Sequence, residues 1–351
     1  MRLCQLREVF IAAGGPSPLP QSPRALMGSI VHKLIDDASR GRVAGGDVRS
    51  HLVTIISEFE NSIQPENPDR RWIPLEHQPE FNWVMKQGLL KATSLLSEAT
   101  SGFAARKYDH QRTGSEIRVE ARDGCVIGKI DRATQTSDGI VIEDFKSGPL
   151  TERPGPQAPP KIAFADQLRL YAAMYAEDPK RGDGEWPVAL TLKSLNGRSL
   201  DVPFQHSECV DLLDSAVDML NSVNSILESH LSDEALDLLG RPSPDTCHFC
   251  SYRPACPAYR QSRASEPLES PWPRDYWGTV VDKTHLGNRT ISLSLQTYVG
   301  IVRARGFNPT IHTNLESVEM GEKVAIFSTK SERGANTVGD GPYATIMNIS
   351  D

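Results

Sequence analysis

The chain has 351 residues, with 38 Lys and Arg against 45 Asp and Glu and a formal net charge of −7. That length suits one large domain plus a smaller one. The negative balance argues against a non-specific nucleic-acid coat protein, but not against an enzyme whose carboxylates hold metal. No run of about 18 apolar residues occurs, and Met1–Gly15 lacks a signal-peptide layout, so a cytoplasmic protein with no membrane span is expected.

Residues 1–27 are rich in loop formers, with Gly14, Gly15, Pro16, Pro18, Pro20 and Pro23. From Gly28 to Ser39 the spacing sets Ile30, Val31, Leu34 and Ile35 on roughly one helical face. Residues 47–62 and 80–108 also read as amphipathic helices, with Pro65, Pro68, Pro74 and Pro79 marking loops between them. The pattern then turns to strands over Glu116–Glu120, Cys125–Ala133 and Gly139–Phe145, joined at Asp123-Gly124 and Asp138-Gly139, which are hairpin signals. Helix returns over 164–177, strands over 187–204, and a long helix over 206–231. One α/β domain is therefore expected over 1–261, with helices inserted before the sheet. Residues 262–273, rich in Ser, Pro and Glu, read as a linker. Beyond it, Tyr276–Asp282, Thr290–Gln296, Lys323–Ser328 and Tyr343–Met347 read as strands of a small barrel of about five strands over 274–351.

Four short patterns stand out along the first domain. Gly28 and His32 open a helix; a lone helical His is more often a surface or core residue than a ligand. Gly128-Lys-Ile-Asp131-Arg132 ends an apolar strand on an acid, which alone is equally a turn entry. In Ile142-Glu-Asp144-Phe-Lys146-Ser-Gly148, Asp144 and Lys146 alternate along a strand and share one side. An acid can hold a divalent metal that polarises a phosphate and activates water, while the Lys stabilises developing charge. A solvated strand face with an incidental ion pair is the plain alternative. In Asp166-Gln167-Leu-Arg-Leu-Tyr171, Gln167 and Tyr171 lie one helical turn apart and face the same way.

Taken in order, GxxxH, GxxD, a hairpin turn, DxK and QxxxY resemble the RecB-like branch of the PD-(D/E)XK nuclease superfamily. The resemblance implies a restriction-endonuclease-like mixed sheet with inserted helices. It implies Mg²⁺ or Mn²⁺ held by His32, Asp131, Asp144 and the backbone carbonyl of Phe145. Lys146 would be the catalytic lysine, with Gln167 and Tyr171 as the accessory motif. The implied substrate is DNA that is single-stranded or has free ends, cut in bacterial repair, recombination or defence. No helicase motif is present, so any unwinding would come from a separate helicase chain. The rival reading is a non-catalytic nucleic-acid-binding scaffold subunit, against which the intact Asp144 and Lys146 speak.

Six cysteines are present: Cys4, Cys125, Cys209, Cys247, Cys250 and Cys256. The last three form C-x₂-C-x₅-C followed by Pro257, which is half a zinc site or three quarters of a cluster site. His248 sits inside the C-x₂-C loop and is a poor fourth ligand. AddB-type and CRISPR-adaptation nucleases of the superfamily carry one Cys near the start and three after the core, holding a 4Fe–4S cluster. By that resemblance Cys4 is the fourth ligand, and the cluster is a structural staple between residues 4 and 256. Family members often have Pro after this first Cys, where this chain has Gln5. Cys125 and Cys209 are expected to be ordinary buried thiols. Residues 274–351 look similar to an OB-fold, which would bind single-stranded nucleic acid by stacking and a basic groove. Trp277, Arg303 and Arg305 are the candidates, with Tyr298 and Phe307 beside them; Trp277 and Phe307 can equally be barrel core.

Overall fold

The computed structural model describes residues 4–15, 17–43, 46–100, 112–146, 148–153, 155, 158–194, 197–230, 232–266, 271–334 and 336–349. The predicted helical residues 101–108, Ser147 of the Lys146–Gly148 stretch and residues 267–270 of the predicted linker lie outside them. In chain order the first elements are α1 (Gln5–Ala12), α2 (Pro23–Ser39), α3 (Val48–Ser62), α4 (Phe81–Thr100), β1 (Gly114–Ala121), β2 (Val126–Gln135), β3 (Ile140–Lys146), α5 (Ile162–Glu177), β4 (Ala189–Ser194) and β5 (Ser199–Asp201). They are followed by α6 (His206–Ser229), α7 (Ser232–Leu239), α8 (Pro244–His248), α9 (Pro257–Ala264), β6 (Tyr276–His285), β7 (Ile291–Thr297), β8 (Gly300–Phe307), β9 (Lys323–Phe327), β10 (Lys330–Ser331), β11 (Thr337–Gly339) and β12 (Thr345–Asn348).

The chain divides into two compact units. One comprises Ser22–Gln64 and Trp72–Ser222; the other comprises Met1–Gln21, Pro65–Arg71 and Val223–Asp351. The division falls inside α6 rather than within 262–273, and it groups the cysteine region with the C-terminal strands.

The first unit is built on a mixed five-stranded sheet in the order β1-β2-β3-β4-β5. Strands β1, β2 and β3 form an antiparallel meander, β3 and β4 run parallel, and β5 returns antiparallel. A parallel pair needs a crossover, and α5 supplies it. Ala165, Leu168 and Ala172 of α5 are buried against Ile130, Ile142, Leu190 and Leu192 of the sheet. Each large side chain fully buried there contributes about 1.5–3 kcal/mol. Helix α2 starts one turn earlier than the sequence pattern suggests, because Ser22 accepts from Arg24 N and Pro23 takes the first position. Its buried face carries Met27, Ile30, Val31 and Leu34. Helix α4 packs on that face at Gly88, where a Cβ would lie 2.9 Å from Val31 Cγ2.

The second unit holds a sheet of seven described strands in the order β10-β11-β8-β7-β6-β9-β12. That exceeds the expected number of about five. Every pairing is antiparallel except β11 with β8. Alternate residues Leu293, Leu295, Val302, Ala304 and Phe307 are buried in one core with Tyr276, Val324 and Ile346. Strand β8, Gly300–Phe307, falls between the expected strands. The N-terminal stretch expected as loop contains α1, whose Leu6 is buried with Leu239 and Tyr259. Among the described residues no helix is long and apolar enough to cross a membrane.

Candidate active site

Four elements of the first unit bring the polar motifs to one place. His32 lies on α2, Asp131 on β2, Asp144 and Lys146 on β3, and Gln167 and Tyr171 on α5. His32 Nδ1 is 3.8 Å from Asp131 Oδ1. Asp131 Oδ2 accepts from Phe145 N at 2.7 Å. The β2–β3 ladder pairs Arg132 with Glu143 and stops there, so the Asp131 side chain serves the backbone where the ladder ends. Lys146 Nζ lies 2.7 Å from Asp144 Oδ2 and donates to Gln167 Oε1 at 2.8 Å. Gln167 Nε2 in turn donates to Tyr171 Oη at 3.1 Å. The i, i+4 spacing on α5 is thus used as a relay from the strand lysine to the tyrosine. The ring of Phe164 lies 4.8 Å from the Lys146 ammonium and faces it.

Gly128 has a steric reason to be glycine. A Cβ there would stand 2.9 Å from Tyr171 Cε1 and 3.1 Å from Met174 Cε. The bare backbone lets α5 settle onto β2, which sets the depth of Tyr171 and Gln167.

Burial dominates the electrostatics. Asp131 is pushed up to about 6, first by burial and then by the Asp144 carboxylate, against the pull of His32, Phe145 N–H and Lys146. Asp144, its side chain 4% exposed, is raised by burial and held back by Lys146 and His32. Asp144 Oδ2 is buried and has the Lys146 ammonium 2.7 Å away. Asp131, raised by burial and by the neighbouring Asp144, is a carboxylate whose charge a bound cation would offset. The donor set therefore fits a small divalent ion, with carboxylates and an imidazole as ligands.

The structure adds a residue that the sequence patterns did not mark. Glu116 joins His32 and Asp131 in a group whose ligand atoms all lie within 4.8 Å of one another. Glu116 has φ 51, a left-handed conformation that costs a non-glycine residue about 1–3 kcal/mol. The β1–β2 ladder skips it, pairing Ser115 with Arg132 and Ile117 with Ile130. Arg40 Nη2 reaches Ser115 O at 2.5 Å, and the Lys129 ammonium contacts the Glu116 carboxylate. An acid in an ordinary strand pattern gives no sequence signal of this kink.

In the second unit Cys4, Cys247, Cys250 and Cys256 line one cavity with Leu6, Arg7, Tyr252 and Arg253. Burial raises the Cys247 thiol to about 12 and that of Cys256 to about 11. Deprotonation there calls for a bound cation. Cys209 is buried as expected, but Cys125 is exposed. The β1–β2 turn runs through Cys125, whose N–H bonds to Arg122 O at 3.0 Å, and the strand begins one residue later.

The residues expected to touch nucleic acid are dispersed on the C-terminal sheet. Arg303 and Arg305 are exposed on β8. Trp277 is half-buried, 4.8 Å from the Tyr298 ring and packed with Leu19, Ala325 and Phe327. Phe307 is core.

A model of the PD-(D/E)XK nuclease superfamily matches residues 2–257. The chain belongs to that superfamily. No curated protein and no solved structure matched it.

Proposed function

We propose that the chain is a Mg²⁺- or Mn²⁺-dependent deoxyribonuclease of the RecB-like branch, acting on single-stranded or end-containing DNA in bacterial repair, recombination or defence. The observation that carries this reading is the group of His32, Glu116 and Asp131 ligand atoms within 4.8 Å of one another, with the Asp144–Lys146 pair on the neighbouring strand. Asp131, Asp144, His32 and the Phe145 carbonyl hold the metal, with Glu116 available from β1. A divalent ion bound there supplies Lewis acidity toward the scissile phosphate. Lys146 stabilises charge that develops on the phosphate. Gln167, fixed by Tyr171, holds the Lys146 ammonium from one side while Asp144 holds it from the other. Their hydrogen-bonded chain keeps Lys146 pre-organised, which supports catalysis over a scaffold role.

Cys4, Cys247, Cys250 and Cys256 bind a 4Fe–4S cluster in this reading, supported by their shared cavity and by the C-x₂-C-x₅-C spacing of the last three. The C-terminal sheet is read as OB-like, offering Arg303, Arg305 and the edge of Trp277 to nucleic acid. Unwinding is left to a separate helicase chain. The test is cleavage of end-labelled single-stranded, duplex and circular DNA with Mg²⁺ and with Mn²⁺. Metal-dependent products that EDTA abolishes are expected. A folded, metal-loaded protein that cuts none of the three would sink the assignment.

A further inference from the structure

We infer that Arg253 is the positioning residue that moulds the cysteine loop onto the C-terminal sheet, so that filling the four-cysteine site and ordering the adjoining ends of β6 and β9 are one event. This rests on reading those cysteines as a metal site.

Arg253 lies between Cys250 and Cys256 and is only 3% exposed. Its Nη1 donates to Cys250 O at 2.7 Å and Cys247 O at 2.9 Å, with His248 O at 3.3 Å. One guanidinium edge thus gathers the carbonyls of the loop that carries two of the thiols, which fixes the turn from inside. Nε donates to Asp275 Oδ2 at 2.7 Å, and Nη2 donates to Ser328 Oγ at 2.7 Å. The planar fork addresses three partners in fixed directions, which a lysine cannot do.

Asp275 immediately precedes β6 and is fully buried. Besides Arg253 it accepts from Tyr259 Oη at 2.6 Å and, through Oδ1, from Ser328 N at 2.6 Å. Its own carbonyl accepts from Tyr298 Oη at 3.1 Å. Ser328 immediately follows β9, with φ 56. Tyr259 belongs to α9, which is capped at its N-terminus by Cys256 Sγ. Arg253–Asp275, Arg253–Ser328 and Tyr259–Asp275 thus link the cysteine loop and α9 to the ends of β6 and β9. A buried ion pair with all its hydrogen bonds made is stable only while both sides keep their geometry. Thiolates gathered around a metal bring negative charge into a buried place, and Arg253 is the nearby buried cation that opposes it. With the metal absent, the four cysteines no longer tie the loop into the shape that presents its carbonyls to Arg253.

The experiment uses the full chain, purified without oxygen, before and after removal of iron by a chelator. Iron, sulfide and zinc are measured, with hydrogen exchange of peptides spanning 274–279, 323–329 and, as a control, 301–307. Stripping the wild type is expected to speed exchange at least tenfold in the first two peptides and to leave the third unchanged. Arg253→Gln, which alters no ligand, is expected to lose at least half its iron. What remains after reconstitution should have a more negative reduction potential than wild type, since a buried positive charge has gone. Ser328→Ala, a milder cut in the same network, should show partial loosening of 323–329 and keep the proposal testable should Arg253→Gln not fold. A metal-binding wild type whose 274–279 and 323–329 peptides ignore iron removal overturns this inference alone. So does a Ser328→Ala variant with unchanged exchange alongside an Arg253→Gln variant with full iron and unchanged potential. A wild type that takes up neither iron nor zinc overturns the metal reading with it.

Discussion

Asp131 Oδ2 receives the Phe145 N–H at 2.7 Å, so one carboxylate both faces the proposed metal position and holds the strand that carries Asp144 and Lys146. The two acids are thereby fixed to each other through backbone rather than through flexible side chains. Asp131 lies at about 6 against an ordinary 3.8. Because the folded value is the higher one, ionised Asp131 opposes folding of the metal-free protein. The penalty is absent below the ordinary value, grows as pH rises through 6, and is constant above.

The first prediction follows from this double role. Asp131→Asn keeps an acceptor for Phe145 N–H and loses the buried charge. In EDTA at pH 8 its melting temperature should equal or exceed that of wild type, while cleavage falls at least about 100-fold. Asp131→Ala should cut cleavage as deeply and also lose about 1–3 kcal/mol of stability through the orphaned N–H. Calorimetry and a cleavage assay on the three proteins decide; an Asp131→Asn variant of normal turnover removes Asp131 from the ligand set.

Metal binding should release protons. Asp131 must ionise to ligate, so Mn²⁺ affinity should be flat above pH 7 and fall as pH drops below about 6. Titration calorimetry in buffers of different ionisation enthalpy counts the protons. Affinity independent of pH between 5 and 8 would show that Asp131 does not compete with the metal. His32→Ala should weaken binding at every pH while leaving the melting temperature near normal, since the imidazole is partly exposed.

Lys146 separates binding from chemistry. Lys146→Ala should keep Mn²⁺ affinity, or raise it by removing a competing cation from Asp144, and lower turnover by roughly 10²–10³. Gln167→Ala should give a smaller loss, because the ammonium keeps Asp144 as a partner but loses its aim. Equal turnover of Lys146→Ala and wild type on the preferred DNA would place the lysine outside the mechanism.

The sheet residues, the α5 helix and the order of the acidic motifs were legible because their periods and spacing are local. The strand Ile140–Lys146 is nearly the one expected, and the residues named for the site do converge. What escaped depends on long-range fit. Glu116 gains its position from a backbone kink that its sequence neighbours do not encode. The N-terminal helix is short and its partners, Leu239 and Tyr259, lie more than 200 residues away. Arg253 carries no local signal either, since its partners Asp275 and Ser328 lie beside strands farther along the chain.

Gly128 offers a purely steric test. Gly128→Ala puts a methyl group 2.9 Å from Tyr171 Cε1, between β2 and α5. The expected cost is about 1–3 kcal/mol in urea unfolding, typical of overpacking. In a Tyr171→Ala background much of that cost should vanish, a coupling that a double-mutant cycle reads directly. Additive effects of the two changes would mean that the ring does not lie on Gly128.

The last prediction concerns the cysteines. Cys4→Ser and Cys250→Ser should both lose iron and both lower the melting temperature, although the two positions lie at opposite ends of the superfamily match. Cys4 sits in the cavity with Cys247, Cys250 and Cys256, so ligation of a common centre closes a loop of roughly 250 residues. Closure of that length is worth about 5 kcal/mol in the chain-entropy model, by analogy with a disulfide, and ligand–metal bonding adds to it. Burial reinforces the effect, because Cys247 at about 12 and Cys256 at about 11 stay protonated and loosely held without a cation. Cys125→Ser is the control: that thiol is exposed in the β1–β2 turn, so its variant should keep normal iron and a normal melting temperature. Cys209 tests the buried alternative, since Cys209→Ser puts a hydroxyl into an apolar core and should destabilise without touching iron. The signature of ligation is therefore loss of iron and stability together, found for Cys4 and Cys250 and for neither control. If Cys4→Ser retains its iron and melts with the wild type, the fourth ligand lies elsewhere, and the N-terminal helix is held by Leu6 and its apolar neighbours alone.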